Sequence, residues 1–404
     1  MKFWILTLGL AMACQPVEEE RAAPSTEPFW WGVATSSYQV EDPGQDVFQT
    51  DWDQYYDQGH LKEHRGEGAG SWSNMERDRQ ALTALGVTHY RFSIEWARVE
   101  PTPGQYNTAA IAQYAEHAKA LSEQGITPVV CLWHFTFPDW ASNLEDPDLH
   151  GWLNPTLQDR WAEYVKTIVK ALGPYVHIWA PQNEPNAVAM AGYFMGMWPP
   201  GVHNDLFAVR AQTQAAAARF IESAKVIRQH DPDAQILTVQ NIIAFQPQSW
   251  DAAGVFTRIG HQYNFDHLDA VYEEADLIGF NYYYRRDASP FPSQEMMWPR
   301  GIRWAIETLQ TRYQRPVVVT ENGLGTDNDK MRQAYMRAHI YQVQAARSDG
   351  WDVAGYFAWS LVDNYEWALG WDVKYGLFAH ENGELLPKQS AEVYRQMIEE
   401  DLVR

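Results

Sequence analysis

Short runs of apolar, β-branched residues alternate along the chain with longer stretches in which apolar positions recur three and four residues apart. The short runs fall at residues 29–34, 88–94, 127–132, 177–181, 235–240, 277–281, 317–321 and 353–359, and Gly, Pro, Asn or Asp bounds most of them. That composition and spacing predict strands. Between them, residues 74–85, 109–124, 155–172, 206–230, 301–313 and 331–349 carry the helical period, several introduced by Ser, Thr, Asn or Pro. Strand and helix in alternation predict a parallel sheet joined by right-handed crossovers. Eight strands are the number that closes such a sheet, so the expected fold is α/β, a single (β/α)8 TIM barrel. No linker or low-complexity segment interrupts residues 28–404, which are read as one domain.

The chain's first residues break the pattern. Met1-Lys2-Phe3 opens a short basic start, and the apolar run behind it is too short to span a bilayer as a permanent helix. This predicts an export signal. Leu10-Ala11-Met12-Ala13-Cys14 is similar to a bacterial lipoprotein processing site, which makes residues 1–14 the signal peptide, Cys14 the lipid-bearing residue and the cell envelope the destination. An ordinary signal peptide, cut near Ala11-Met12-Ala13 and releasing a periplasmic or secreted protein, is the alternative. Residues 15–27, rich in Pro, Ala, Ser and Glu, read as a flexible linker. Cys14 and Cys131 are the only cysteines, and Cys131 lies inside an apolar strand pattern, where a thiol is buried filler.

In a barrel of this kind reactive groups collect at the C-terminal ends of the strands. The polar residues at those predicted ends are Arg91, His134, Asn183, Glu184, Asn281, Tyr283 and Glu321, with Trp359 beside them. Glu184 and Glu321 each follow an aromatic or β-branched approach, an unusual way to place a solvated loop charge. Two carboxylates brought to one barrel end are the minimum equipment for cleaving a glycosidic bond with an acid and a nucleophile. Arg91 suits the holding of an ionised carboxylate. His134 reads equally as a satisfied core histidine or a functional one, and no second His or Cys sits at ligand spacing, so no metal site is expected.

Composition agrees with a sugar-binding cleft. The chain has 19 Trp, 21 Tyr and 16 Phe, more rings than a core of this size requires, and aromatic faces stack on the C–H faces of sugars. The stretch from Trp359 through Asp363, Glu366 and Trp367 combines two indoles with carboxylates. A formal net charge of −21 excludes nucleic acid as a partner, because phosphates demand clustered Lys and Arg.

The ordered motifs resemble those of glycoside hydrolase family 1, the β-glucosidase family. They are Phe29-Trp30-Trp31-Gly32-Val33-Ala34-Thr35-Ser36-Ser37-Tyr38-Gln39-Val40-Glu41, Arg91-Phe92-Ser93-Ile94, Asn183-Glu184-Pro185, Asn281-Tyr282-Tyr283, Thr320-Glu321-Asn322-Gly323 and the block from Trp359 to Trp367. The resemblance implies Glu184 as acid/base and Glu321 as nucleophile of a retaining exo-β-glycosidase, most readily a β-glucosidase, acting on a β-linked glycoside without cofactor. It implies that Asn183, Gln39, His134, Glu366 and Trp367 grip the sugar, that Trp359 stacks beneath it, and that Arg91, Tyr283, Asn281 and Tyr375 support the site. Glu366 favours an unphosphorylated sugar. The chain departs from the family pattern at Asp42, Thr136 and Trp198. Two rivals remain: a clan-related β-glycanase that cuts internally, and a non-catalytic carbohydrate-binding surface protein.

Overall fold

The computed structural model describes residues 27–289 and 296–402. Its centre is a ring of parallel strands, the first being Trp30–Ala34, the second His89–Ser93, the third Thr127–Cys131 and the fourth Ile178–Ala180. The sixth, seventh and eighth are Ile278–Asn281, Val317–Asn322 and Val353–Trp359. First pairs with second and eighth, and the pairing runs on through neighbours in both directions.

The ring closes at the fifth strand, which differs from expectation. In place of one run over 235–240 there are two short pieces, Gln235–Ile236 against the fourth strand and Gln240–Asn241 against the sixth. Between them the Leu237↔Leu277 bridge carries the seam. Thr238 explains the interruption: its Oγ1 accepts from Gly279 N at 3.0 Å and donates to Gly279 O at 3.2 Å, so a side chain fills the place of the ladder. The approach is so close that a Cβ on Gly279 would lie 2.0 Å from Thr238 O.

Helices sheathe the ring. Met75–Leu85, Thr108–Glu123, Pro155–Leu172, Leu206–His230, Val255–Val271, Arg300–Tyr313, Asp329–Ser348 and Gln389–Leu402 each follow one strand. Asn107, Asn154, Asp205 and Asn328 cap four of them by accepting a first-turn N–H, with Pro155 at the first position of its helix. The helix Val255–Val271 was not anticipated from the sequence.

Two apolar layers result. Ala34, Val129, Cys131, Ile178, Ala180, Leu237, Val318 and Phe357 fill the barrel interior, while their alternating neighbours form the larger core against the helices. Cys131 is buried as expected, its thiol facing Trp133 O. Arg91 shares a register row with Ala34 and Val129, both interior residues, so the pleat sends its guanidinium inward near the barrel mouth. Cys14, the signal segment and all of the linker except its last residue lie outside the described residues. Among the described residues no helix is long and apolar enough to cross a membrane.

Candidate active site

Four strand ends bring a hydrogen-bonded chain of side chains together at the barrel mouth. Arg91, fully buried, donates from Nη1 to Glu321 Oε1 at 2.5 Å and from Nη2 to Asn183 Oδ1 at 2.6 Å. Asn281 Nδ2 reaches Asn183 Oδ1 at 3.3 Å and Glu184 Oε1 at 2.6 Å. The two glutamates are thus joined through Arg91 on the second strand, Asn183 three residues past the fourth and Asn281 at the end of the sixth.

Local backbone geometry aims each carboxylate. On the seventh strand, Val319 pairs with Phe280 but Glu321 with Asn281, so Thr320 is an extra residue, a bulge that turns Glu321 into the mouth. The strand runs one residue beyond the expected 317–321: Asn322, whose pairing with Gly323 is a turn signal in the sequence, continues it because its amide donates to Tyr282 O and Tyr335 OH and accepts from Tyr356 OH. The strand ends before Gly323, where a Cβ would meet Trp359 O at 2.0 Å. Glu184 has φ 42° and ψ 53°, the left-handed region, and its N–H donates to Val239 O at 2.8 Å. For a residue with a side chain that conformation costs about 1–3 kcal/mol, and such strain gathers at functional sites. Pro185 then starts the helix Pro185–Tyr193 at once.

The two carboxylates live in opposite surroundings. Each oxygen of Glu321 has a strong donor, Arg91 Nη1 on Oε1 and Tyr283 OH on Oε2 at 2.6 Å. Burial lifts the Glu321 carboxyl above its ordinary range, and the charge of Arg91 and the hydroxyl of Tyr283 oppose that lift. Among the described residues Glu184 has no cation at hydrogen-bond distance. Burial first and the negative charge of Glu321 second push it up to about 7, against the amides of Asn241 and Asn281. The surroundings therefore favour the carboxylate at Glu321 and the protonated acid at Glu184.

The remaining predicted residues join this cluster through hydrogen bonds and ring contacts. Asn183 Nδ2 faces His134 Nε2 at 3.1 Å, and since Asn183 Oδ1 already accepts from Arg91, the amide donates to the ring. The proton of His134 then sits on Nδ1, which has no partner among the described residues. Burial and the nearby Arg91 charge keep this ring neutral. Gln39 is fixed on both sides, accepting from Ser36 Oγ at 2.7 Å and donating to Asn364 Oδ1, Tyr365 O and Glu366 Oε2. Glu366, half-buried, is pushed to about 8 by burial and by the Glu321 charge. Trp359 and Trp367 flank the His134 ring at 5.9 and 6.1 Å, both nearly parallel to it, and Trp367 stacks in turn on Tyr38. Tyr375 meets Tyr283 edge-on at 5.9 Å.

The departures from the family pattern have structural explanations. Asp42 accepts from Ser73 N and Oγ, and Thr136 Oγ1 donates to buried Glu95 at 3.1 Å. Trp198 packs on Trp52, Phe135 and Trp367. Asp363 forms an ion pair with Lys388 at 2.6 Å and caps Gly376 N, which makes it a brace of the strand-eight loop. Two residues at the site went unnoticed in the sequence. Asn241 donates to Glu184 Oε1 at 2.9 Å, and Tyr263 donates to Asn241 Oδ1 at 2.9 Å. Extending the fifth strand by one residue would have put Asn241 at a strand end; Tyr263, on a helix, carries no such signal.

A closed parallel barrel with two buried glutamates in unlike surroundings at its mouth defines a barrel glycoside hydrolase. The chain belongs to glycosyl hydrolase family 1, whose sequence profile matches residues 23–267 and 283–402. It is 31% identical over 415 residues to beta-glucosidase A of Thermotoga maritima, covering 87% of this chain and 92% of that protein. It is 30% identical over 453 residues to a bifunctional beta-D-glucosidase/beta-D-fucosidase of Bifidobacterium breve, covering 93% and 98%. The fold superposes on a solved structure of a Thermotoga maritima beta-glucosidase in complex with glucoimidazole with a TM-score of 0.83 at 26% identity, covering 93% of this chain and 98% of the other.

Proposed function

We propose that the protein is a retaining, exo-acting β-glucosidase in which Glu321 is the nucleophile and Glu184 the acid/base. The observation that carries this reading is the asymmetry of the two glutamates: Arg91 and Tyr283 stabilise charge on one, while burial and the negative charge of its partner push the other up to about 7. Glu321 attacks the anomeric carbon as the glycosidic C–O bond breaks, and the Glu184 proton goes to the departing oxygen. Glu184, now a carboxylate, takes a proton from water, whose oxygen attacks the same carbon and displaces Glu321. His134 Nδ1–H, Gln39, Glu366 and Trp367 offer donors, acceptors and a ring face for the sugar hydroxyls, and Trp359 a platform. Glucose is the favoured sugar because both similar proteins named above are β-glucosidases by name.

Proton NMR of aryl β-glucoside hydrolysis tests the stereochemistry: β-glucose appears first if the reading holds, and α-glucose first overturns it. Glu321→Ala is expected to be inactive and, with azide, to release the α-glucosyl azide. Products from cello-oligosaccharides separate exo-action, which releases single glucose units, from the internal cuts of a β-glycanase. Binding without turnover would point to the non-catalytic alternative.

We further propose export, with Cys14 as the lipid-bearing residue. The support is the basic start, the apolar run and the Leu10-Ala11-Met12-Ala13-Cys14 string. Wild-type protein is expected in the detergent phase on partitioning and Cys14→Ser in the aqueous phase; equal partitioning favours the ordinary signal peptide.

A further inference from the structure

An acid can hold its proton on either carboxyl oxygen, and only the oxygen facing the leaving group is useful. Glu184 Oε1 receives two N–H donors, Asn281 Nδ2 at 2.6 Å and Asn241 Nδ2 at 2.9 Å, while Oε2 takes no hydrogen bond from a described residue. A terminal amide can present either its NH2 or its carbonyl, so the two contacts alone fix nothing. Here each amide is held from behind by a hydroxyl. Tyr263 OH donates to Asn241 Oδ1 at 2.9 Å, and Thr320 Oγ1 donates to Asn281 Oδ1 at 2.6 Å. A phenol donates more readily than it accepts, which sets Asn241. Asn281 is set twice, since its Nδ2 also faces the Asn183 oxygen that Arg91 holds. Were either amide reversed, its carbonyl would face Oε1 and be satisfied only by a proton on that oxygen.

We propose that Tyr263 and Thr320 are positioning residues that act through Asn241 and Asn281 to keep the Glu184 proton on Oε2, the oxygen left for the leaving group. Neither touches the reacting atoms. Thr320 is the bulge residue that also aims Glu321, so one backbone irregularity orients the nucleophile and polarises the acid. Tyr263 is the contribution of the unanticipated helix Val255–Val271 to the chemistry. Removing its hydroxyl leaves Asn241 Oδ1 without a donor, and the amide regains a partner by turning its carbonyl to the Glu184 proton. The acid then binds its proton more tightly and on the wrong oxygen.

The inference rests on the assignment of Glu184 as acid/base. Its test compares Tyr263→Phe, Thr320→Val and the hydroxyl-retaining Thr320→Ser with wild type, as kcat/KM against pH for phenyl and dinitrophenyl β-glucosides. The poor phenolate leaving group needs the acid, and the dinitrophenolate barely does. In Tyr263→Phe and Thr320→Val the basic limb is expected to move up by about one pH unit, and the phenyl-to-dinitrophenyl rate ratio to fall roughly 10-fold. Thr320→Ser is expected to restore both. Folded variants with an unmoved basic limb and equal losses on both substrates would overturn the proposal. Wild type that hydrolyses neither substrate would overturn the acid/base reading itself.

Discussion

Arg91 and Glu321 face each other at 2.5 Å with almost no solvent exposure on either side chain. Each would be an isolated charge in a dry barrel without the other. Removing one partner of such a buried pair costs more than the pair contributes, because the survivor is stranded.

Arg91→Met is therefore expected to lower stability by about 3–5 kcal/mol. It also frees Glu321 from the cation that opposes its lift, so the acidic limb of kcat/KM moves to higher pH. Urea denaturation and a pH–rate profile check this; an acidic limb that stays put would separate Arg91 from nucleophile ionisation.

The pH–activity curve of the wild type should be bell-shaped. Glu321 must be ionised, which sets the acidic limb, and Glu184 must be protonated, so kcat/KM falls as pH rises through about 7. Glu184→Gln is expected to abolish the basic limb and to slow phenyl β-glucoside hydrolysis by about 100-fold or more, with a much smaller effect on a dinitrophenyl glycoside. A basic limb that persists in this variant would assign it to another group.

Stability should peak between about pH 6 and 7, for two opposed reasons. Burial raises Glu41, Glu95 and Glu184 to about 7 and Glu366 to about 8 from 4.5, so their stabilisation is complete below 4.5 and is lost progressively as pH rises from there through the folded values. Burial also holds His89, His117, His150 and His267 near 3 and His339 near 4, against 6.5. Those rings oppose folding once the unfolded chain protonates its histidines, so they lower stability below about pH 6.5. Urea midpoints at pH 5, 6.5 and 8.5 test the balance; a monotonic trend contradicts it.

Gly279→Ala is expected to be severely destabilising, beyond about 4 kcal/mol, because the new methyl would meet the Thr238 backbone carbonyl first, with the Thr320 and Leu237 side chains close behind it. Circular dichroism melting reads the effect. A variant that melts within a few degrees of wild type would show that the seam can open at little cost.

Much of this was written legibly in the chain, for identifiable reasons. The buried parallel strands are near-continuous apolar runs, and the second strand places Arg91 inward by simple alternation from Tyr90 and Phe92. Glu184 and Glu321 stood out because each charge comes within a few residues of an apolar, strand-like run. The fifth strand read as one unbroken run because nothing in Leu237-Thr238-Val239 announces that a hydroxyl will replace a ladder bond. Asn322 looked like a turn residue because Asn-Gly is a turn signal; three tertiary hydrogen bonds to its amide overrode that local preference. Tyr263 was invisible because its role depends on a helix crossing the strand-five end, a relationship without sequence periodicity.

The split fifth strand has a consequence for how activity is acquired. Asn241 ends one side of the seam and Asn281 the other, and both amides converge on Glu184. A chain with seven strands paired and the seam unzipped would keep Arg91 against Glu321 yet lack the paired amides that tell the acid where to hold its proton. Closing that edge is thus what turns a paired scaffold into a competent catalyst.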